Sequence, residues 1–245
     1  MESEKKLRIL MLHGWSQNGK LFSDRTGPLR RKLRAIADLV YITAPHELPM
    51  IEGGRENAKA WFYYNAENIL ETSHAFRVQA NVEYHKWNES REHIANSWIE
   101  HGGFDGVCGF SQGAVTLHQL LVEMHLSAEK SPEEATGSHL CSPSVRFLLS
   151  HPPRFAILVA GFPSNHTLPG GSPILPGLLL VPSLHVISDE DFQVPKELHA
   201  QLIDRFVAGP HRQVIKHDKG HQMPHQAALL DRLVDFVEPF LSKLP

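Results

Sequence analysis

The chain has 245 residues, of which 42% are hydrophobic and 21% charged, and its formal net charge is −3. This length suits one large α/β domain or two small ones, with enough apolar residues for a sizeable core in either case. The balanced charge excludes a nucleic-acid partner. The longest apolar stretch, 178–187, is interrupted by Pro182 and falls short of the roughly 20 residues that cross a bilayer, so no membrane span is expected.

The polar amino terminus leads directly into a predicted strand and lacks the apolar core of a secretory signal peptide. We therefore expect a cytoplasmic protein whose thiols stay reduced. The two cysteines, Cys108 and Cys141, have no metal-binding spacing, and Cys108 lies within a predicted buried strand. Both are predicted to be packed thiols.

Short β-rich runs alternate with helix-patterned segments along the chain. Most of these runs lack polar alternation, which is typical of parallel strands covered by helices on both faces of a sheet. The predicted strands are, in chain order, 7–12, 39–43, 106–108, 155–159, 183–187 and 213–215. The predicted helices are 28–37, 82–100, 114–125, 196–206 and 224–241. This order predicts a single α/β domain over 1–245, with a mostly parallel central sheet and an exposed excursion at 127–153.

Two segments depart from the alternation of strands and helices, 47–80 and 162–182, and either could border a binding site. We predict an insertion bordering the pocket at 47–80. Its neighbouring aromatic residues Trp61 and Phe62, together with Phe162 from the second segment, are the candidate pocket-lining residues. The alternative is that these aromatic side chains simply pack the insertion onto the sheet.

A Gly-Phe-Ser-Gln-Gly sequence at 109–113 places Ser111 between two glycines, directly after an apolar run. The segment that follows, 114–124, has apolar residues at helical spacing. Strand, serine and helix in this order are typical of the nucleophile elbow of α/β-hydrolases, in which small flanking residues let strand and helix approach closely. The motif predicts an α/β-hydrolase fold with Ser111 as the nucleophile.

A nucleophilic serine needs a histidine to accept its proton and a carboxylate to orient that histidine. In α/β-hydrolases these partners follow in the order serine, acid, histidine, each after a strand. The acid is expected after the strand 183–187, where Asp191 and Asp189 are the contenders. The base is expected after the last strand, where His221 follows a glycine that permits a tight turn and is preferred over His217.

The tetrahedral intermediate of acyl transfer needs two N–H donors aimed at its negative oxygen. The backbone N–H of Gln112, next to the serine, is the first candidate. The second is the backbone N–H of Trp15, in the loop that follows the first predicted strand. This chemistry requires no cofactor and no metal.

The chain resembles the FSH family of small serine hydrolases over nearly its whole length. The resemblance is carried by 12–19, 60–62, 104–113, 185–187 with Asp191, 194–195, and 220–221 with Pro224. It implies Ser111 as nucleophile, Asp191 as acid and His221 as base. It also implies hydrolysis of carboxylic esters, with medium to long acyl chains preferred by some members and thioesters cleaved by others. Ser188 stands where the family commonly has glycine. The geometry of this turn therefore stays open, and Asp189 remains an alternative to Asp191 as the acid.

Two other functions remain as alternatives. His217 and His221 are four residues apart with Asp218 between them, a spacing that metal ligands can have, but the glycine before His221 argues against a helical site. The second alternative is a non-catalytic module that binds a small ligand on the same fold. The presence of all three triad residue types in order argues against it. The preferred prediction is a serine carboxylesterase that forms an acyl-enzyme on a small-molecule ester, with the oligomeric state open.

Overall fold

The computed structural model describes residues 5–50, 54–65, 67–68, 70, 84–129, 142–164 and 176–243. Its strands are β1 (Leu7–Leu12), β2 (Ala37–Tyr41), β3 (His46–Glu47), β4 (Lys59–Ala60), β5 (Gly106–Phe110), β6 (Phe155–Val159), β7 (Ser183–Ser188) and β8 (Arg212–His217). Six of them form a parallel sheet in the order β2-β1-β5-β6-β7-β8. The short strands β3 and β4 form a separate antiparallel pair.

Helices cover both faces of this sheet. They are α1 (Gly19–Arg25), α2 (Gly27–Leu33), α3 (Trp87–Glu100), α4 (Gln112–Ala128), α5 (Pro143–Ser150), α6 (Lys196–Asp204) and α7 (Ala227–Val237), followed by a 3-10 helix at Glu238–Lys243. Alternate residues of β1 point to opposite faces of the sheet. Ile9 and Met11 belong to the apolar cluster under α1, α2 and α7. Leu10 and Leu12 belong to the cluster under α3 to α6. Both faces are therefore buried, as a parallel sheet requires.

The predicted strands are confirmed. Those at 7–12 and 155–159 match residue for residue, and the other four differ by at most two residues at an end. The predicted buried Cys108 lies on β5 as a free thiol, and burial raises its pKa to about 12. Cys141 lies outside the described residues. Among the described residues, no helix is both long enough and apolar enough to cross a membrane.

The predicted helix at 28–37 is wrong in extent. The helix in this span, α2, ends at Leu33, and Ala37 is buried and pairs in parallel with Leu7 as the first residue of β2. The first helix, α1, was missed. Its amino-terminal cap is Asn18, whose side chain accepts a hydrogen bond of 2.9 Å from the amide of Leu21.

The predicted exposed excursion at 127–153 is also wrong for its described part. Helix α5 occupies most of 142–153, and Ser142 caps it by accepting from the amide of Val145 at 3.2 Å. Val145 and Leu148 are buried against α3 and α4. Pro143 stands at the first helical position, where its missing N–H costs nothing.

The helices predicted at 82–100 and 224–241 begin later than expected, at Trp87 and Ala227. The strands that precede the predicted site residues are β5, β7 and β8. Because they are parallel, their carboxyl ends meet at one edge of the sheet, and the loops that follow them carry Ser111, Asp191 and His221.

Candidate active site

Ser111 lies on a strained turn between β5 and α4. Its backbone has φ 53° and ψ −118°, a region that non-glycine residues seldom adopt and that is found at functional sites. Its amide donates to the Val159 carbonyl at 2.9 Å. A Cβ on Gly113 would lie 2.1 Å from the Leu12 carbonyl oxygen, and one on Gly109 would lie 2.3 Å from the carbonyl oxygen of Gly113. Both glycines are therefore required for the close approach of strand and helix.

The structure brings the side chains of Ser111, His221 and Asp191 into one hydrogen-bonded line. His221 Nε2 lies 2.9 Å from Ser111 Oγ, and His221 Nδ1 lies 2.7 Å from Asp191 Oδ2. An ionised carboxylate only accepts hydrogen bonds, so Nδ1 carries the proton and Nε2 presents its lone pair to the serine hydroxyl. The side chains of His221 and Asp191 are 7% and 0% exposed. The imidazole is thus positioned to take the serine proton.

Asp191 is held by hydrogen bonds to both of its oxygens. Its Oδ1 accepts from the amides of Gln193 and Val194, each at 2.9 Å. Burial opposes ionisation, but the interactions with His199 and His221 and the amide of Val194 outweigh it and hold the pKa of this carboxyl well below its ordinary value. The acid therefore stays charged at neutral pH.

Ser188 links the acid turn to the loop that carries the histidine. Its Oγ accepts from the amides of Glu190 and Gly220, both at 3.1 Å. Ser188 does not have a positive φ, so this position does not need the conformational freedom of glycine. The hydroxyl at this departure from the family pattern has a structural role of its own.

The competing residues from the sequence have other partners. Asp189 is 60% exposed in its side chain and lies 3.6 Å from Lys216 Nζ. His217 closes β8 and its Nδ1 accepts from the amide of Lys219 at 3.2 Å. In the described part of the chain, no three His, Cys, Asp or Glu side chains are grouped to hold a metal ion.

The loop after β1 lies against the serine. A Cβ on Gly14 would stand 3.2 Å from the Cβ of Ser111. His13 fixes this loop: its Nδ1 donates to the Gly14 carbonyl at 2.8 Å and its Nε2 accepts from the Ala44 amide at 3.0 Å. Burial lowers the pKa of His13 to about 4, so the ring is neutral at pH 7 and keeps both hydrogen bonds.

The two predicted oxyanion donors lie next to this contact. Trp15 is in the loop that meets the serine, where the neighbouring amide of Ser16 donates to the Lys59 carbonyl at 3.0 Å and that of Gln17 to Gly14 at 3.2 Å. Gln112 is the first residue of α4, and an amide at that position has no acceptor within its helix. The oxyanion role of these two amides stays a prediction.

The Gln112 side chain links residues 61–62 to the turn that carries Ser111. Its Oε1 accepts from the Trp61 amide at 3.0 Å and its Nε2 donates to the Phe62 carbonyl at 2.8 Å. Trp61 Nε1 donates to the His13 carbonyl at 2.9 Å. Trp61, Phe62 and Phe162 are all nearly fully buried in one apolar cluster, so packing is the role visible for them and pocket lining stays a prediction.

The side-chain roles of His13, Gln112 and Ser188 were missed from the sequence. Gln112 offered the clearest clue, since a polar residue beside the nucleophile that becomes buried needs partners for its amide. Each of the three residues has at least one partner more than 30 residues away in the chain. Spacing alone therefore gave no means of assigning them.

A six-stranded parallel sheet, a serine on a strained strand-to-helix turn and the ordered acid and histidine loops define an α/β-hydrolase. Solved structures agree with this class. Esterase PE8 superposes with a TM-score of 0.58 and 18% identity, covering 96% of this chain and 93% of that one. Acyl-protein thioesterase 2 of Zea mays gives a TM-score of 0.56 and 18% identity, covering 98% and 96%.

Residues 1–233 match the family described as serine hydrolase (FSH1), and the chain belongs to this family. It is 31% identical to Esterase OVCA2 of Danio rerio over 252 residues, covering 96% of this chain and 97% of the relative. It is 30% identical to Esterase OVCA2 of Mus musculus over 258 residues, covering 98% and 99%. The chain is an enzyme, a hydrolase of the serine carboxylesterase type, which confirms the predicted class.

Proposed function

We propose that this protein hydrolyses carboxylic esters of small molecules through an acyl-enzyme intermediate, with Ser111 as nucleophile, His221 as general base and Asp191 as the acid. The observation that carries this proposal is the unbroken path of hydrogen bonds from the Ser111 hydroxyl through the imidazole to a buried carboxylate. The three residues come from three separate loops, and their arrangement is the one that a catalytic triad requires.

In the first step, His221 Nε2 takes the proton of Ser111 as Oγ attacks the ester carbonyl carbon. The carbonyl oxygen becomes an oxyanion, and the backbone amides of Trp15 and Gln112 donate to it. Loss of one such donor costs about 3–4 kcal/mol of barrier stabilisation in comparable enzymes. His221 then gives its proton to the departing alcohol, which leaves the acyl group on the serine.

In the second step, water attacks the acyl-enzyme while His221 Nε2 takes a proton from it. His221 then returns that proton to Ser111 Oγ as the bond between Oγ and the acyl carbon breaks, which releases the carboxylic acid and restores the serine. Asp191 keeps Nδ1 protonated, so that Nε2 is always the atom that faces Oγ, and its charge stabilises the imidazolium formed in each step. Its two backbone hydrogen bonds hold it still during this exchange.

The substrate class is supported by relatives whose names describe them as esterases. A preference for medium to long acyl chains follows from the family resemblance and is part of the proposal, as is lining of the acyl pocket by Trp61, Phe62 and Phe162. The thioester alternative uses the same machinery. A single domain with a pocket-bordering insertion and a cytoplasmic location also stay predictions.

The test is a series of p-nitrophenyl esters and matching acyl thioesters, from short to long chains, with wild type, Ser111→Ala and the surface control Ser150→Ala. We expect turnover of the esters by wild type and the control, and a loss of at least about 10⁴-fold in Ser111→Ala. Faster turnover of thioesters would reverse the substrate assignment. Activity in Ser111→Ala within tenfold of wild type would overturn the proposal.

A further inference from the structure

A second histidine, His199 on α6, lies next to the carboxylate of the proposed acid. It is 1% exposed. Its Nδ1 lies 2.8 Å from the Gly161 carbonyl oxygen, in the loop that follows β6. A carbonyl only accepts hydrogen bonds, so Nδ1 of His199 carries a proton whatever the state of Nε2.

The other ring nitrogen faces Asp191. His199 Nε2 lies 3.6 Å from Asp191 Oδ2, the oxygen that also accepts from His221 Nδ1. Nε2 is buried and makes no hydrogen bond within the described part of the chain. In a neutral ring, Nε2 would direct a lone pair at an anion. In a protonated ring it directs an N–H at that anion, and in a site of low dielectric this difference in charge interaction is large.

Among the described residues, the ion pair that His199 can form is with Asp191. His185 on β7 is almost fully buried, and burial, with smaller effects of Arg212 and His199, lowers its pKa to about 3. Burial is also the largest influence on His217 of β8 and lowers its pKa, although the carboxylate of Asp191 acts in the opposite direction. Both flanking imidazoles are therefore neutral at pH 7 and add no positive charge next to His199.

We propose that His199 is a positioning residue that, as an imidazolium, donates from Nε2 to Asp191 Oδ2 and shares this carboxylate with His221. The two histidines then compete for one negative charge. The catalytic consequence of this sharing rests on the proposed function. Because Asp191 shares its charge between two histidines, the proton that His221 acquires is held less tightly. His221 therefore stays available as a base at lower pH than it would beside a carboxylate that it did not share.

The protonation state can be measured without activity, by NMR of the imidazole nitrogens in full-length protein labelled with nitrogen-15 histidine. The His199→Gln variant identifies the resonances. We expect both ring nitrogens of His199 to be protonated near neutral pH in wild type, and Nε2 to lose its proton when Asp191→Asn removes the charge. A neutral His199 in folded wild type would overturn the ion pair, whether or not the protein is an esterase.

The positioning role is tested by the pH profile of kcat/KM for an ester substrate. His199→Phe keeps a similar volume and removes the donor, and we expect its acidic limb to move to higher pH by about one unit. His199→Gln restores an uncharged N–H, so its plateau should recover towards wild type while the limb stays displaced. His101→Gln is the matched control, since His101 also bonds a backbone carbonyl through Nδ1, that of Ser97 at 2.9 Å.

The outcomes separate this proposal from the proposed function. Unchanged acidic limbs in both His199 variants, with ester turnover intact, would overturn the positioning role and leave the esterase assignment standing. Absence of ester turnover in wild type would remove the proposed function, and the NMR result would still decide whether His199 and Asp191 form an ion pair. If His199→Phe does not fold, the Gln variant and the NMR measurement on wild type remain decisive.

Discussion

The nucleophile turn (109–113) and the acid turn (188–194) hold the side chains proposed as nucleophile and acid by different means. The nucleophile turn is fixed by close contact between backbones: added Cβ atoms at Gly109 and Gly113 would overlap carbonyl groups, and Ser111 has a strained positive φ. The acid turn is fixed by the side-chain oxygens of Ser188 and Asp191, which accept hydrogen bonds from four backbone amides, those of Glu190, Gln193, Val194 and Gly220.

This difference teaches where each turn tolerates change. A turn held by van der Waals contact between backbones has no room to relax, so a single added methyl group lowers the stability of the whole fold. A turn built on several separate hydrogen bonds loses them one at a time, each worth about 1 kcal/mol. Four predictions test this contrast, beginning with the largest expected effect.

Replacement of the buried carboxylate should have the greatest effect on activity. Asp191→Asn keeps the shape but removes the charge and allows the wrong histidine tautomer, so we expect turnover to fall by about 10⁴-fold. Asp189→Asn, at an exposed carboxylate paired with Lys216, should change turnover less than about twofold. Steady-state kinetics on one ester decides, and a larger loss for Asp189→Asn would reassign the acid.

Gly113→Ala should be the most destabilising change. Its Cβ would stand 2.1 Å from the Leu12 carbonyl oxygen, and we expect a loss of more than about 3 kcal/mol in the free energy of unfolding, or no folded protein. Gly27→Ala is the control, because its Cβ would meet its nearest neighbour, an arginine side-chain nitrogen, only at 3.5 Å. Equal urea midpoints for the two variants would refute the contrast drawn between the turns.

Low pH should destabilise the protein through His13, which holds the loop next to the nucleophile turn. The pKa of His13 is lowered to about 4 in the folded protein from 6.5, so between these values the unfolded chain binds more protons. His13 should therefore lower the free energy of unfolding by about 3 kcal/mol as the pH drops from 6.5 to 4, and it should cause no further loss below pH 4. His13→Asn keeps a donor for Gly14 without this titration.

The measurement is the free energy of unfolding in urea as a function of pH for wild type and His13→Asn. The variant should lose less stability than wild type across this interval. Parallel curves would show that His13 does not need to stay neutral in the folded protein.

The smallest effect is expected at Ser188. Ser188→Ala leaves the amides of Glu190 and Gly220 without their acceptor, and we expect a loss of about 1 kcal/mol in stability and roughly fivefold in kcat/KM. Ser188→Gly should behave the same way, because Ser188 does not have a positive φ. A glycine variant as active as wild type would mean that the hydroxyl contributes nothing.

The two turns also differ in how far the sequence predicts them. The nucleophile turn follows from local pattern, since glycines flanking Ser111 after an apolar run can be recognised without knowing the fold. The acid turn offers three adjacent carboxyl groups, and the choice of Asp191 depends on amides and imidazoles that only the folded chain assembles. His199 is the extreme case, because its ring meets Asp191 and Gly161 through tertiary packing alone.

The same distinction holds for the fold. The strands were predictable because a buried parallel strand leaves a continuous apolar run, as at 155–159. Helices α1 and α5 were missed because each is short and shows its boundary mainly through a cap, Asn18 or Ser142, whose side-chain bond cannot be read from composition.

The central claim is that Ser111 is activated by His221 and Asp191. The most direct test is to incubate the folded protein with a fluorophosphonate and locate the adduct by peptide mass spectrometry. We predict one adduct, on Ser111, that forms rapidly in wild type, much more slowly in Asp191→Asn and not at all in Ser111→Ala or in unfolded protein. No adduct in folded wild type, or an adduct on another residue, would contradict the claim.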